Sequence, residues 1–144
     1  MQITYGALIP LPVDEAFDFV TDPANWPTFV PMESAQALEG WGAPGGKARM
    51  VTRFLGRDVT TDLELLEWSR PNKFRYIGRN EGPDMDNSRV FEAVPGGTRL
   101  TATTTVHRGP GLSALVALVA IRRLMRRGMK ELPAQAVKWE QGRA

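Results

Sequence analysis

Hydrophobic and polar residues alternate at the start of the chain, which is the period of a β-strand. The alternation puts four residues on one face and stops at Pro10 and Pro12, because proline cannot donate to a strand ladder. The segment therefore predicts a first strand with one apolar face. The residues on that face are Ile3, Tyr5, Ala7 and Ile9.

Apolar residues change to helical spacing directly after the prolines. Val13, Ala16 and Phe17 fall on one helical face, and the acidic residues after Val13 lie in the first turn, where they complement the helix dipole. Asp22 and Pro23 then have the form of an N-cap and a first helical residue. The pattern predicts two consecutive short helices.

From residue 33 to residue 107 the chain consists of short strand patterns separated by turn signals. Residues 59–65 alternate well, and residues 89–94 predict another strand. Consecutive strands joined by short turns favour an antiparallel meander over crossover units. The turn signals are the clusters at 42–46, 56–58, 81–84 and 95–97, of which the last is the strongest hairpin signal.

An apolar stripe at steps of three and four residues predicts a long C-terminal helix. Pro133 lies inside this pattern and is expected to kink the helix or to end its first segment, because proline removes a backbone hydrogen bond. The stripe consists of Leu115, Leu118, Met125, Met129 and Leu132.

Composition narrows the possible functions. The 144 residues suit one domain, and the absence of cysteine excludes disulfides and thiolate chemistry. With a single histidine, His107, a histidine-rich metal site is not expected, and no cofactor is required. A net charge of +2 is too small by itself to imply a nucleic-acid partner.

The sequence also bears on location. The N-terminus has neither a basic flank nor a long apolar run, so we do not expect a signal peptide. The longest apolar run, residues 115–121, is far short of the roughly 20 residues that span a bilayer. The expectation is a cytoplasmic protein.

Three phrases, taken with the element order, carry a resemblance to a known superfamily. They are PVDEAFDFVTDP at 12–23 followed by Trp26 and Pro27, LEWSRPNKFRY at 66–76, and FEAVPGGTRLT at 91–101. In this order the chain resembles the SRPBCC superfamily, which includes the polyketide cyclase/dehydrase family, the START lipid-transfer domains and the pollen-allergen-like proteins. The resemblance covers nearly the whole chain.

This resemblance implies a single START-like domain over 1–144 with the α+β helix-grip fold. A curved antiparallel sheet of about seven strands, with two short helices, would wrap on the long C-terminal helix around an apolar ligand cavity. The superfamily contains enzymes, carriers and regulators, so the fold does not settle the function.

Aromatic and flexible apolar residues at inward positions are the candidates for ligand contact, because such side chains suit an adaptable pocket. For any one of them, ordinary core packing is the commoner explanation. Trp26 and Phe29 lie in a segment bounded by prolines and are the candidates for the pocket rim. The full ligand-binding set is Trp26, Phe29, Met50, Phe54, Phe91, Leu118 and Met125.

Tyr5, Tyr76 and Arg122 are the candidate catalytic residues. A phenol within an apolar cavity can orient a ligand carbonyl or donate a proton, although both tyrosines also fit an ordinary core role. Arg122 interrupts the helical stripe, so it points either to a ligand carboxylate or enolate in the cavity or outward to solvent. His107 falls on the polar face of its strand and is expected to be exposed and inert.

The sequence contains two further groups of charged residues. Asp58, Asp62 and Glu64 share one strand face, which marks a solvated surface and not a carboxylate dyad. The C-terminal helix carries a basic cluster beside an apolar run, which fits either contact with anionic membrane lipid or a solvated helix face. The membrane-facing candidates are Arg122, Arg123, Arg126 and Arg127.

Three functions follow as hypotheses. The first is non-covalent binding of a small hydrophobic molecule, such as a polyketide, a lipid, or an aromatic or isoprenoid metabolite, without a cofactor. The second is a cofactor-independent enzyme of the cyclase/dehydrase kind that shapes a reactive chain. The third is a membrane-associated lipid carrier that uses the basic helix.

Overall fold

The computed structural model describes residues 1–107 and 112–143, with side chains on the last helix from residue 115 onward. Seven strands and a long helix account for most of these residues, and two short helices lie between the first strands. The order is β1 (Gln2–Ile9), α1 (Val13–Thr21), a 3₁₀ helix (Pro23–Thr28), β2 (Ser34–Ala37), β3 (Lys47–Phe54), β4 (Arg57–Ser69), β5 (Lys73–Arg79), β6 (Met85–Val94), β7 (Gly97–Val106) and α2 (Leu112–Arg143).

The strands form one curved antiparallel sheet in the order β1-β7-β6-β5-β4-β3-β2. The meander from β2 to β7 is the predicted one, and β1 closes the sheet by pairing with β7, with Tyr5 opposite Ala102. Alternate residues of each strand face α1 and α2, and we call this side of the sheet the inner face. The predicted helix-grip fold is confirmed.

Local signals predicted the short helices correctly. Asp22 caps the 3₁₀ helix, because its Oδ1 accepts a hydrogen bond from the Ala24 N–H at 3.0 Å, and Pro23 follows as the first helical residue. Proline suits this position since the first N–H groups of a helix have no intrahelical partner.

Two boundaries differ from the prediction. Strand β6 begins at Met85 and not at Arg89, so it includes Asp86. Helix α2 continues through Pro133 to Arg143, so the proline does not end a helical segment. Leu132 and Ala136 on either side of Pro133 are fully buried against the sheet, and this tertiary packing compensates for the lost backbone hydrogen bond.

The apolar core is divided into two clusters along the inner face. The first cluster joins α1 and the C-terminal half of α2 to the sheet through Phe17, Phe74 and Leu132. The second cluster packs the preceding part of α2 on β1 and β7, and Met129 lies against both clusters. The interior therefore has two packed ends. The buried members of the second cluster are Ile3, Ala102, Val106, Leu118 and Met125.

The outer face of the sheet carries cross-strand ion pairs. Lys47–Glu64, Arg49–Asp62 and Arg53–Asp58 are each directly opposite in the β3–β4 register. The hydrogen bond from Lys47 lowers the pKa of Glu64. Asp58, Asp62 and Glu64 thus lie on a solvated surface, as predicted. Opposite charges at such positions favour the observed register.

A better-aligned ion pair joins β5 to β6. The Arg75 guanidinium donates to both carboxylate oxygens of Asp86, with Nε–Oδ1 at 2.9 Å and Nη2–Oδ2 at 2.7 Å. These bonds lower the pKa of Asp86, and they raise the pKa of Arg75. Bidentate pairs of this kind are stronger than single-contact surface pairs.

We predict that Asp86→Asn lowers the free energy of unfolding by about 1 kcal/mol at neutral pH, since the pair is partly exposed. The folded-state pKa of Asp86 lies below its ordinary value of 3.8. The stabilisation is therefore present above that value and is lost as pH falls through the lower folded-state pKa. Urea unfolding of both proteins across acidic pH measures the difference. The control is Asp58→Asn, whose longer contact of 3.8 Å predicts a negligible effect; equal losses for the two variants would contradict the prediction.

Candidate functional site

Buried polar side chains occupy the inner face toward the Ile3 end of β1. Thr104 Oγ1 donates to Asn87 Oδ1 at 2.7 Å, and Asn87 Nδ2 donates to the Met85 carbonyl at 3.3 Å. Directly after β5, Asn80 Nδ2 donates to Thr61 Oγ1 of β4 at 3.0 Å. Each of these groups has a partner, so this end of the inner face is polar and satisfied within the protein.

An aromatic stack crosses the middle of the inner face. The Tyr76 ring lies between Trp26, at a centroid distance of 5.7 Å, and Phe74, at 5.6 Å, with interplanar angles of 23° and 24°. Trp26 is held by a hydrogen bond of 2.7 Å from its Nε1 to the Val20 carbonyl at the end of α1. The Tyr76 hydroxyl makes no hydrogen bond with any described residue. The ring is thus firmly packed while its hydroxyl remains available.

Arg89 is an inward-facing charged residue that the sequence-based prediction missed. In the register it lies on the inner face between Phe74 of β5 and Ala102 of β7. Its guanidinium carbon is 5.8 Å from the centroid of the Tyr76 ring, and its Nη1 donates to the Ser88 carbonyl at 3.1 Å. The available signal was the alternation from Phe91, which puts Arg89 on the same strand face.

Several inward side chains remain half-buried although they lie on the face that carries the core. Phe74 and Phe91 are 1% exposed, whereas Tyr5, Met50 and Arg89 are all partly accessible. Thr52 and Phe54, near the end of β3, are also inward by register and half-buried. Water therefore reaches part of each of these inward side chains.

Trp26 and Phe29, the candidates for the pocket rim, are buried in the structure. They are 5% and 6% exposed and belong to the first apolar cluster. Phe29 lies against Phe19 with ring centroids 5.5 Å apart. The 3₁₀ helix folds both aromatics inward, because Trp26 Nε1 finds its acceptor on α1. The partly accessible positions lie instead on β1, β3 and β6.

The other predicted apolar contacts, apart from Phe54, divide between the two clusters. Phe91 is in the first cluster, edge-on to Phe17 at 5.2 Å. Leu118 and Met125 are buried in the second cluster, which Tyr5 flanks. Met50 packs against the first cluster while staying partly accessible. The structure therefore brings all these residues to the same interior.

Two polar candidates lie outside this interior. Arg122 is exposed, so of its two predicted orientations the outward one is observed. Its side chain therefore does not lie in the interior with those of Tyr5 and Tyr76. It lies at the edge of the helical face that carries Leu118, about 40° around the helix axis from that residue. A long, flexible side chain can reach water from such a position. His107 is exposed, as expected.

Among the described residues, the titratable side chains form no recognisable metal centre. Within residues 1–107 and 112–143, no group of three or more potential ligands is placed to hold a metal ion. The same ranges contain no helix whose length and apolarity would let it cross a bilayer.

Comparison with known proteins places the chain in a family. The model of the family described as "Polyketide cyclase / dehydrase and lipid transport" matches residues 1–137, and the chain belongs to this family. No curated protein matches the chain.

Solved structures share the fold at low identity. TTHA0849 from Thermus thermophilus is 20% identical with a TM-score of 0.78, and the alignment covers 96% of this chain and 98% of that one. Ara h 8.0201 is 16% identical with a TM-score of 0.74 and coverage of 96% and 98%. StfQ, the di-domain ARO/CYC from the steffimycin biosynthetic pathway, is 18% identical with a TM-score of 0.73; the alignment covers 99% of this chain and 51% of StfQ.

We predict that Tyr76→Phe changes the free energy of unfolding by less than about 0.5 kcal/mol, because the hydroxyl has no partner among the described residues. Trp26→Phe should cost about 1–3 kcal/mol, since it leaves the Val20 carbonyl without its indole donor. Urea denaturation of the two variants checks both values. A larger loss for Tyr76→Phe than for Trp26→Phe would contradict this assignment.

Proposed function

We propose that the protein binds a small hydrophobic molecule between the inner face of the sheet and α2. The observation that carries the proposal is the partial accessibility of Tyr5, Met50 and Arg89, which point inward from three different strands. A solid core would bury all three as completely as it buries Phe74.

The surroundings of these residues suit such a ligand. The first cluster supplies an aromatic wall and the second an aliphatic wall. Both walls consist of apolar side chains, which do not need hydrogen bonds from water. Binding would derive from the burial of apolar surface, at about 25 cal/mol per Å². The Tyr76 hydroxyl would then orient a polar group of the ligand. The family description, which names polyketide chemistry and lipid transport, supports a ligand of this class.

The cyclase alternative uses the same interior. The hydroxyl groups of Tyr5 and Tyr76 are not hydrogen-bonded to any described residue, so either could donate a proton to a folded polyketide chain. The name of StfQ, an ARO/CYC protein with the same fold, supports this alternative. Arg122 has no part in it, because its side chain is exposed.

A specific observation favours the membrane-associated carrier as a second candidate. Leu115 and Val119 are 60% and 52% exposed, and they lie on the same side of α2 as the exposed arginines that follow. An apolar tip followed by a basic collar is the arrangement that buries apolar residues among lipid chains and puts cations at the headgroups. The collar consists of Arg122, Arg123, Arg126 and Arg127.

If a ligand binds in the interior, a larger side chain in that space should weaken ligand binding. We expect Thr52→Trp to reduce the affinity for the neutral fluorophore N-phenyl-1-naphthylamine by about tenfold or more, because the new indole occupies space on the inner face. Fluorescence titration measures the affinity. Val51→Trp is the matched control, since Val51 is the adjacent residue on the opposite face. Equal affinities for the two variants would refute the proposed site.

If the arginines of the collar contact anionic lipid, reversing their charge should reduce binding to membranes. The wild type should pellet with phosphatidylcholine/phosphatidylserine vesicles and not with phosphatidylcholine alone. Arg122→Glu/Arg126→Glu should weaken pelleting by about tenfold or more, at about 1 kcal/mol for each basic residue near the surface. The control, Arg99→Glu/Lys138→Glu, makes the same change in net charge at exposed sites elsewhere. A similar loss in both variants would argue against a specific basic collar.

A further inference from the structure

Arg89 differs from most arginines of the sheet in the face that it occupies. Arg57 shares the inner-face register at the end of β4, but it is exposed and forms an ion pair with Glu81. Arg49 and Arg75 lie on the outer face, where Asp62 and Asp86 lie opposite or beside them as ion-pair partners. Arg89 is on the inner face of β6, a strand with neighbours on both sides. Its guanidinium is therefore held within the interior proposed above to bind a ligand.

The side chains around Arg89 do not neutralise its charge. Its cross-strand neighbours are Phe74 and Ala102, and its inner-face neighbours along β6 are Asn87 and Phe91. The carboxylates of the strands all lie on the outer face and are Asp58, Asp62, Glu64, Glu67, Asp86 and Glu92. No residue in the described part of the chain forms a salt bridge with Arg89.

The observed contacts of Arg89 use only part of its hydrogen-bonding capacity. One N–H group reaches the Ser88 carbonyl at 3.1 Å, and the guanidinium lies over the Tyr76 ring at 5.8 Å. Tyr76 itself is packed between Trp26 and Phe74, so this platform holds the guanidinium in a defined place. A guanidinium carries several N–H donors in a planar fork that matches a carboxylate.

We infer that the ligand is an amphipathic anion whose carboxylate or enolate oxygen binds Arg89 while its apolar body lies against the aromatic and aliphatic walls. This inference rests on the proposed ligand-binding function and adds the chemical class of the ligand. A partly desolvated cation without a counter-ion gains more from an anion than an exposed one does, because water screens the pair less.

Two probes with one skeleton test the inference. 8-Anilinonaphthalene-1-sulfonate carries a sulfonate that N-phenyl-1-naphthylamine lacks, so the ratio of their affinities reports on recognition of the anion. Fluorescence titrations would be made with the wild type, Arg89→Met, Arg89→Lys and Arg99→Met. Arg99 is the matched control because it is an exposed arginine on the outer face of the next strand.

Arg89→Met is expected to weaken binding of the sulfonate probe by about tenfold or more. The affinity for the neutral probe should stay within about twofold of the wild-type value. Arg89→Lys should restore part of the loss, since it keeps the charge without the planar fork. Arg99→Met should change neither affinity. Sulfonate binding should also be weakened by Thr52→Trp, which would locate it in the interior.

Three results would overturn the inference. If the neutral probe binds in the interior and Arg89→Met leaves both affinities unchanged, the anion site is wrong while the proposed function stands. If Arg89→Met weakens the binding of both probes equally, Arg89 does not recognise the anion and only supports the packing of Tyr76. If neither probe binds the wild type, the proposed function fails together with the inference.

Discussion

The packing of α2 on one side of the curved sheet is the constraint on which the interior depends. The helix makes its main contact with β1, and Leu118 and Met125 cluster with Ile3 of β1 and Ala102 of the neighbouring strand β7. Farther along, Leu132 and Ala136 join the first cluster beneath α1. One helix is too narrow to cover the inner face of seven strands, so the side chains of β3 and β6 between the packed ends remain partly accessible.

The short helices complete one wall of this interior. The carbonyls at the end of α1 accept hydrogen bonds from two indoles, with Val20 bonded to Trp26 at 2.7 Å and Thr21 to Trp41 at 2.8 Å. A helix C-terminus has carbonyls without intrahelical partners, and here side-chain donors from later in the chain satisfy them. This arrangement brings Trp26 onto Tyr76 and thereby links the helical layer to the middle of the sheet.

Charge is separated between the two faces of the sheet. The outer face pairs its cations with carboxylates across β3, β4, β5 and β6, which supports the strand register. The inner face holds Arg89 among uncharged neighbours and against an aromatic ring. Such a position is costly for stability alone, because a partly buried charge needs compensation. The anion-binding role proposed for the residue would account for that cost.

Local patterns in the sequence determined most of the architecture. The alternation that puts Ile3 and Tyr5 on one face specifies β1. The cap at Asp22 specifies the 3₁₀ helix, and the turn at 95–97 specifies the last hairpin. Each signal acts between residues close in the chain. The same alternation, continued back from Phe91, would have put Arg89 on the inner face, although the sequence-based prediction did not use it. These features needed no knowledge of distant contacts.

The tertiary structure alone decided how the interior is filled. Whether Trp26 and Phe29 form a rim or a core depends on acceptors and rings supplied by α1, and whether Arg122 turns inward depends on which side of α2 meets β1. The helix passes Pro133 because burial of its neighbours outweighs one lost hydrogen bond. Each outcome is set by packing between segments far apart in the chain, which local periodicity does not encode.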